Sequence, residues 1–132
     1  MSDEPLLPKW LAESAIGLAS GDIDAWMAMY ADDAVHEFPF AAPGAVQRLV
    51  GKDDIRAYMT AMSGSVQFGS LDDVRVRQWG DGVLIEAQGH HVDAVTGAPF
   101  ELRYLWIITR QDGLVTRLSD YMGPRRPVVE LH

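Results

Sequence analysis

The sequence predicts an α+β domain in which three N-terminal helices pack on one face of a strongly curved, mainly antiparallel sheet. Two observations carry this reading. Apolar residues recur at helical spacing as far as Gly64, and from there to Tyr121 they alternate as strands do, interrupted by turn segments rich in Gly and Asp. Helices followed by a run of strands is the α+β order, because a sheet with one apolar face needs the helices to cover it. At 132 residues and 48% hydrophobic content, the chain has the apolar mass for one core and no room for a second. The expected domain is 1–132, with 1–7 and 125–132 as flexible tails.

From Pro8 to Ser20, the residues Trp10, Leu11, Ile16 and Leu18 fall on a helical pattern with Ala12, Ala15 and Ala19 beside them. Pro8 suits a first turn, where its missing N–H is not needed. Gly21 ends this helix and Asp22 can cap the next, Ile23 to Tyr30, whose stripe is Trp26, Met27 and Tyr30. A first strand is predicted over Ala34–Phe38, then a loop from Pro39 to Val50 in which Pro43 and Gly44 exclude regular structure. Gly51 to Asp54 open a third helix with Ile55, Tyr58, Met59 and Met62 as its stripe, and Asp53 and Asp54 sit at the positive end of its dipole. Val74–Arg77, Val83–Asp93, Phe100–Thr109 and Leu114–Tyr121 then read as an antiparallel meander.

Charge and motif content narrow the function. The net charge of −8 argues against nucleic acid or an anionic membrane surface as partner, since both call for clustered Lys and Arg. No apolar run approaches the roughly 18–20 residues of a membrane helix, and MSDEPLLPKW lacks the features of a signal peptide, so a soluble, cytoplasmic protein is expected. Without cysteine there is no thiol nucleophile or zinc–thiolate site, and neither a GxGxxG nor a GxSxG pattern occurs. The expected partner is a small apolar molecule, and the expected chemistry is acid–base work without a cofactor.

Strand parity selects the candidate site residues. Leu114, Thr116, Leu118 and Asp120 share one side of the last strand, and Leu102, Tyr104, Trp106 and Ile108 one side of the strand before it. Ile85, Ala87, Gly89, His91 and Asp93 share a face of the long strand, with His90 on the other. If these rows line one concave surface, the result is an apolar pocket with a few polar groups at one end and space left by Ala87 and Gly89. Asp120 is the leading candidate for a general acid or base, since a carboxylate at the end of an apolar row loses hydration; the alternative is a strand-ending Asp that bonds the backbone of the following turn. His91 could orient or protonate a substrate with Asp120. A metal site from His90, His91 and Asp93 is disfavoured, because neighbouring strand residues point to opposite faces. On the first strand, parity points inward either Glu37, as a second acid, or His36 with Phe38. Trp26, Tyr30, Phe38, Tyr58, Tyr104, Trp106 and Leu118 are the candidate substrate contacts, and Arg125 and Arg126 read as solvated.

Two stretches resemble a known family. GLASGDIDAWMAMYADDAVHEFPFAAPGAVQRLVGKDDIRAYM resembles the opening half of the SnoaL-like branch of the nuclear transport factor 2-like superfamily, which also holds ketosteroid isomerase and limonene epoxide hydrolase. TGAPFELRYLWIITRQDGLVTRLSDYMG resembles the closing strands of limonene epoxide hydrolase. The resemblance implies a cone-shaped α+β barrel with a deep apolar pocket, and a homodimer formed through the outer face of the sheet. It also implies a working acid at Asp120. The isomerase base position is Phe38 here, its oxyanion-donating acid is Tyr104 and its first-helix tyrosine is Ser14. The hydrolase relay partners of Asp120 fall at Ala87 and Gly89, and its water-holding pair at Val35 and Glu37. Two classes of function therefore stand: a cofactor-free cyclase, isomerase or hydrolase acting on an apolar cyclic or polyketide-like substrate, and a non-catalytic binding or dimerisation module with the same pocket.

Overall fold

The computed structural model describes residues 7–128. Its elements are α1 (Lys9–Ala19), α2 (Ile23–Met27), β1 (Tyr30–Glu37), β2 (Arg48–Val50), α3 (Lys52–Ser63), β3 (Val66–Gln67), β4 (Leu71–Trp79), β5 (Gly82–Asp93), β6 (Pro99–Gln111), β7 (Leu114–Met122) and β8 (Arg126–Pro127). The three helices and the curled sheet make a cone-shaped α+β fold.

Each helix is explained by one buried stripe and one local stop. In α1 the stripe is Leu11, Ser14 and Leu18, and the Ser14 hydroxyl returns to the Trp10 carbonyl at 3.1 Å, so its polarity costs little inside. Asp22 caps α2 by accepting the Ala25 N–H at 3.1 Å. The two helices meet closely at Gly17, where an added Cβ would lie 2.3 Å from the Ala25 methyl. Helix α2 ends at Met27 rather than Tyr30: the Met29 carbonyl already accepts from Val115 N at 2.7 Å, and Tyr30 begins β1. Helix α3 buries Ile55 and Met59 and carries Asp53 and Asp54 in its first turn.

The sheet runs β2-β1-β7-β6-β5-β3, with β4 also paired to β5 and β8 to β6. All its pairings among the described residues are antiparallel except β1 with β7, which run parallel, so the last long strand is inserted between the first and the sixth. The short strands β2, β3 and β8 fall in segments where no alternation was expected. In particular, Arg126 and Pro127 pair with Glu101 and Phe100, which corrects the expectation of a loose tail from 125; the expected tail residues 1–6 and 129–132 lie outside the described residues.

The alternation in β5 and β6 is as expected. Val83, Ile85, Ala87 and His91 are buried on one strand, and Phe100, Leu102, Tyr104, Trp106 and Ile108 on the next. On β7 the expected row is corrected at its start. Register shifts from Thr109 opposite Arg117 to Arg110 opposite Val115, leaving Thr116 as an extra residue whose hydroxyl donates to the Thr109 carbonyl at 3.2 Å. This bulge exchanges the two faces, so Val115 is buried and Leu114 exposed, while Leu118 and Asp120 keep the inner side. The fully buried Leu11, Met27, Tyr30, Ile55, Ile85, Ile108, Val115 and Leu118 form the core, each contributing about 1.5–3 kcal/mol by burial.

Candidate active site

Between the helices and the concave side of the sheet lies a cavity of about 200 Å³. Its walls are mainly apolar, with the aromatic rings of Trp26, Phe38, Tyr58, Phe68, Tyr104 and Trp106 among leucine, methionine and valine side chains. Ionisable side chains of His36, His91, Asp120 and Arg125 border it beside the Tyr58 and Tyr104 phenols. Tyr30 and Leu118, expected as substrate contacts, do not line it. Both are core residues, 1% and 0% exposed, with Tyr30 held behind His36.

Asp120 owes its place to two strand pairings. Across β6–β7 it stands directly opposite Trp106, whose indole N–H donates to Oδ1 at 3.0 Å. Across β1–β7, His36 stands opposite Leu118, close enough that its Nε2 lies 3.1 Å from Asp120 Oδ2. The other ring nitrogen, Nδ1, is 2.9 Å from the Tyr30 hydroxyl. Burial, and then the charge of Asp120, hold the Tyr30 phenol well above its usual range, so it keeps its hydrogen and has His36 Nδ1 to give it to. His36 then carries its own hydrogen on Nε2 and donates it to Asp120. Each carboxylate oxygen thus has one protein donor, and lone pairs remain for the cavity that Asp120 borders.

Of the two parity choices for β1, the structure has His36 and Phe38 inside, stacked with ring centroids 4.8 Å apart. Glu37 is on the other face, which corrects its expected place in the pocket. There it accepts from Ser119 at 2.7 Å and from Arg117, whose Nε donates to Oε1 at 3.0 Å and whose Nη2 lies 2.8 and 2.9 Å from the two oxygens. These partners, Ser119 first, hold its carboxyl below the usual range. A residue with a strong cation within reach on the outer face gains nothing by turning inward. The signal for His36 was present in the sequence as parity with Phe38, but the parallel β1–β7 pairing that decides it is a long-range fact.

His91 lines the cavity, as expected, but its hydrogen bonds go to groups other than Asp120. Its Nδ1 accepts the Gly69 N–H at 3.0 Å and its Nε2 is 2.8 Å from the Tyr104 hydroxyl. Burial above all, with help from His90 and Arg125, pushes its imidazole down to about 4, so it is neutral near pH 7. The rings of Phe68 and Phe100 meet it edge-on at 5.5 and 5.7 Å. His90 points outward to Asp72 and Glu101, so His90 and His91 do not converge on a metal position; among the described residues no group of three or more His, Asp or Glu is placed to hold one. Arg125, read from sequence as solvated, is exposed but lies over the Phe100 ring, 4.4 Å from its centroid, at the cavity border.

Fold and cavity together define a small-molecule pocket protein of the cone-shaped α+β class. Residues 12–118 match the SnoaL-like domain family, and the chain belongs to it. It is 31% identical over 107 residues to the uncharacterized protein YesE of Bacillus subtilis strain 168, a match covering 78% of this chain and 71% of that one. A crystal structure of a presumptive isomerase from Bacillus subtilis superposes with a TM-score of 0.81 at 27% identity, over 88% of this chain and 85% of that one. The fold is shared as well by a presumptive polyketide cyclase from Pseudomonas putida KT2440, with a TM-score of 0.73 at 20% identity over 87% and 90% of the two chains. No helix among the described residues is long and apolar enough to cross a membrane.

Proposed function

We propose that this chain is a cofactor-free acid–base enzyme of the cyclase or isomerase type, acting on an apolar cyclic or polyketide-like substrate with Asp120 as the proton-transferring group. The observation that carries this reading is the fixed carboxylate. Trp106 and His36 each hold one oxygen of Asp120, and the residue borders a mainly apolar cavity. Orientation fixed before the substrate arrives is what a general base needs, since no reorganisation is then left for the reaction itself.

In the proposed step Asp120 takes a proton from a carbon made acidic by its neighbour group, and the electron pair moves into that group. The same carboxyl then returns the proton to another carbon, so nothing is oxidised or reduced. Tyr30 and His36 stay behind the acid and keep it from turning. The names of the Bacillus subtilis and Pseudomonas putida structures agree with this class of chemistry. Pairing of two copies through the outer sheet face accompanies the proposal, because half-exposed Leu84, Leu105, Ile107 and Tyr121 lie together there.

The test is a turnover screen of ketones, polyketide-like esters and epoxides with wild type and Asp120→Asn. Proton exchange or rearrangement of a ketone or ester by wild type, lost in the variant, supports the reading. Equal turnover by both proteins sinks the role of Asp120, and no turnover of any of these compounds by wild type leaves a binding module.

A further inference from the structure

The cavity wall that β6 provides has a charged group at each end. Phe100, Leu102, Tyr104 and Trp106 line it; Asp120 stands opposite Trp106, while the Arg125 guanidinium lies over the Phe100 ring, 4.4 Å from its centroid. Six residues separate Phe100 from Trp106, which is up to about 20 Å along a strand. Tyr104, between them, registers both groups: burial raises its phenol first, the Asp120 charge adds to that, and the Arg125 charge opposes it. Among the described residues that line the cavity, Arg125 is the sole Lys or Arg, in a chain whose net charge is −8.

The backbone fixes this cation at the mouth. Before it, Gly123 N donates to the Arg103 carbonyl at 2.8 Å; after it, Arg126 and Pro127 pair with Glu101 and Phe100. The side chain is half exposed, and its contacts among the described residues are the Phe100 ring and Asp93. Asp93 Oδ2 is 4.0 Å from Nη1, beyond hydrogen-bond distance, and Asp93 Oδ1 is spent on the Val95 and Thr96 N–H groups at 2.9 and 3.0 Å. A guanidinium over a ring uses its face. Its edge, where the N–H groups form a fork matched to a carboxylate, is left to another acceptor.

We propose that Arg125 is a specificity-determining residue that receives a ligand carboxylate, so that the cavity takes amphipathic carboxylic acids, with the ring system among the apolar walls and the acid group at the mouth. This deepens the reading of the cavity as a substrate pocket and rests on it, but asks nothing of Asp120 as a base. At the Phe100 end the ligand anion is separated from Asp120 by the length of the wall, where repulsion between like charges is weakened by distance and by salt. A single carboxylate matches a single guanidinium; a phosphate dianion would call for a second cation, and none lines the cavity among the described residues.

The experiment compares 2-naphthoate with 2-acetylnaphthalene, in which a methyl group replaces one carboxylate oxygen. Affinities of the full chain are read by calorimetry at neutral pH for wild type, Arg125→Gln, Arg125→Lys, Asp93→Asn and Asp120→Asn. Wild type should prefer the acid. Arg125→Gln should bind the acid about five- to thirtyfold more weakly, the worth of a charge-assisted bond at a half-exposed site, and the ketone within about twofold of wild type. Arg125→Lys, which keeps the charge and loses the fork, should fall between the two. Asp93→Asn, whose amide oxygen can still accept from Val95 and Thr96, should tighten the acid about two- to threefold by removing the competing charge. Asp120→Asn should keep the acid preference while losing turnover, which separates this proposal from that of the base. The proposal is overturned by an acid that does not bind wild type or is not preferred to the ketone. It is overturned equally by a preference that changes less than about twofold in Arg125→Gln, the result if that variant weakened both probes alike.

Discussion

His36 Nε2 lies 3.1 Å from Asp120 Oδ2, and the hydrogen between them is set by Tyr30 on the far side of the ring. Asparagine at 120 can fit this chain by reversing it. Its amide N–H₂ would donate to Nε2, and His36 would move its hydrogen to Nδ1 and donate it to Tyr30. Asp120→Asn should therefore melt within about 1 kcal/mol of wild type, whereas Asp120→Ala, which strands the Trp106 and His36 donors, should cost about 2–4 kcal/mol. Both should lower turnover by about 10²–10⁴. Denaturant melts beside the turnover assay check the two effects separately.

Glu37 supplies the contrasting case. Glu37→Gln should leave turnover within about twofold and cost less than about 1 kcal/mol, since its Arg117 partner is half exposed. Its carboxyl is held below the usual range when folded, so this small stability is present above the unfolded value near about 4.3 and is lost as pH falls through the folded one. A large activity loss would place Glu37 in the chemistry after all.

His91 should give the fold an acid-sensitive limb. Its folded value of about 4 lies below the unfolded value of about 6.5, so the folded state resists protonation. Stability should be full above pH about 6.5 and fall by about 2–3 kcal/mol as pH drops towards 4. The groups around the ring are Tyr104, Phe68 and Phe100, with His90 and Arg125 as the charged neighbours. Urea melts between pH 7.5 and 4.5, as experimental settings of roughly that range, should show a flatter profile for His91→Gln than for wild type.

Gly89→Ala places a methyl between His91 and Tyr104, where both neighbours are ring atoms with little freedom. The expected cost is about 1–3 kcal/mol by overpacking. Denaturant melts of the variant beside wild type measure it.

The inner rows of β5 and β6 were legible in the sequence because those strands pair with each other in an unbroken register, where alternation alone decides the face. The candidate site was legible in part for the same reason. Asp120, Tyr104, Trp106 and His91 follow from parity, and Phe38 follows once β1 is oriented. Thr116 defeats the simple count, since one extra residue inverts Leu114 and Val115 without any local mark in the sequence. His36 and Glu37 could not be ordered locally either. Their choice is made by Arg117 and Ser119 on one side and Asp120 on the other, about eighty residues away in the chain.

The parallel seam between β1 and β7 also fixes when the site comes into being. During synthesis His36 emerges early and waits with an exposed strand edge, while β2 can already pair with the other edge of β1, and β3 to β6 among themselves. Only insertion of β7 closes that edge and delivers Asp120 to its two donors in the same event. A chain stalled before its last long strand would have the aromatic walls and no acid, so proton-transfer competence and completion of the fold arrive together.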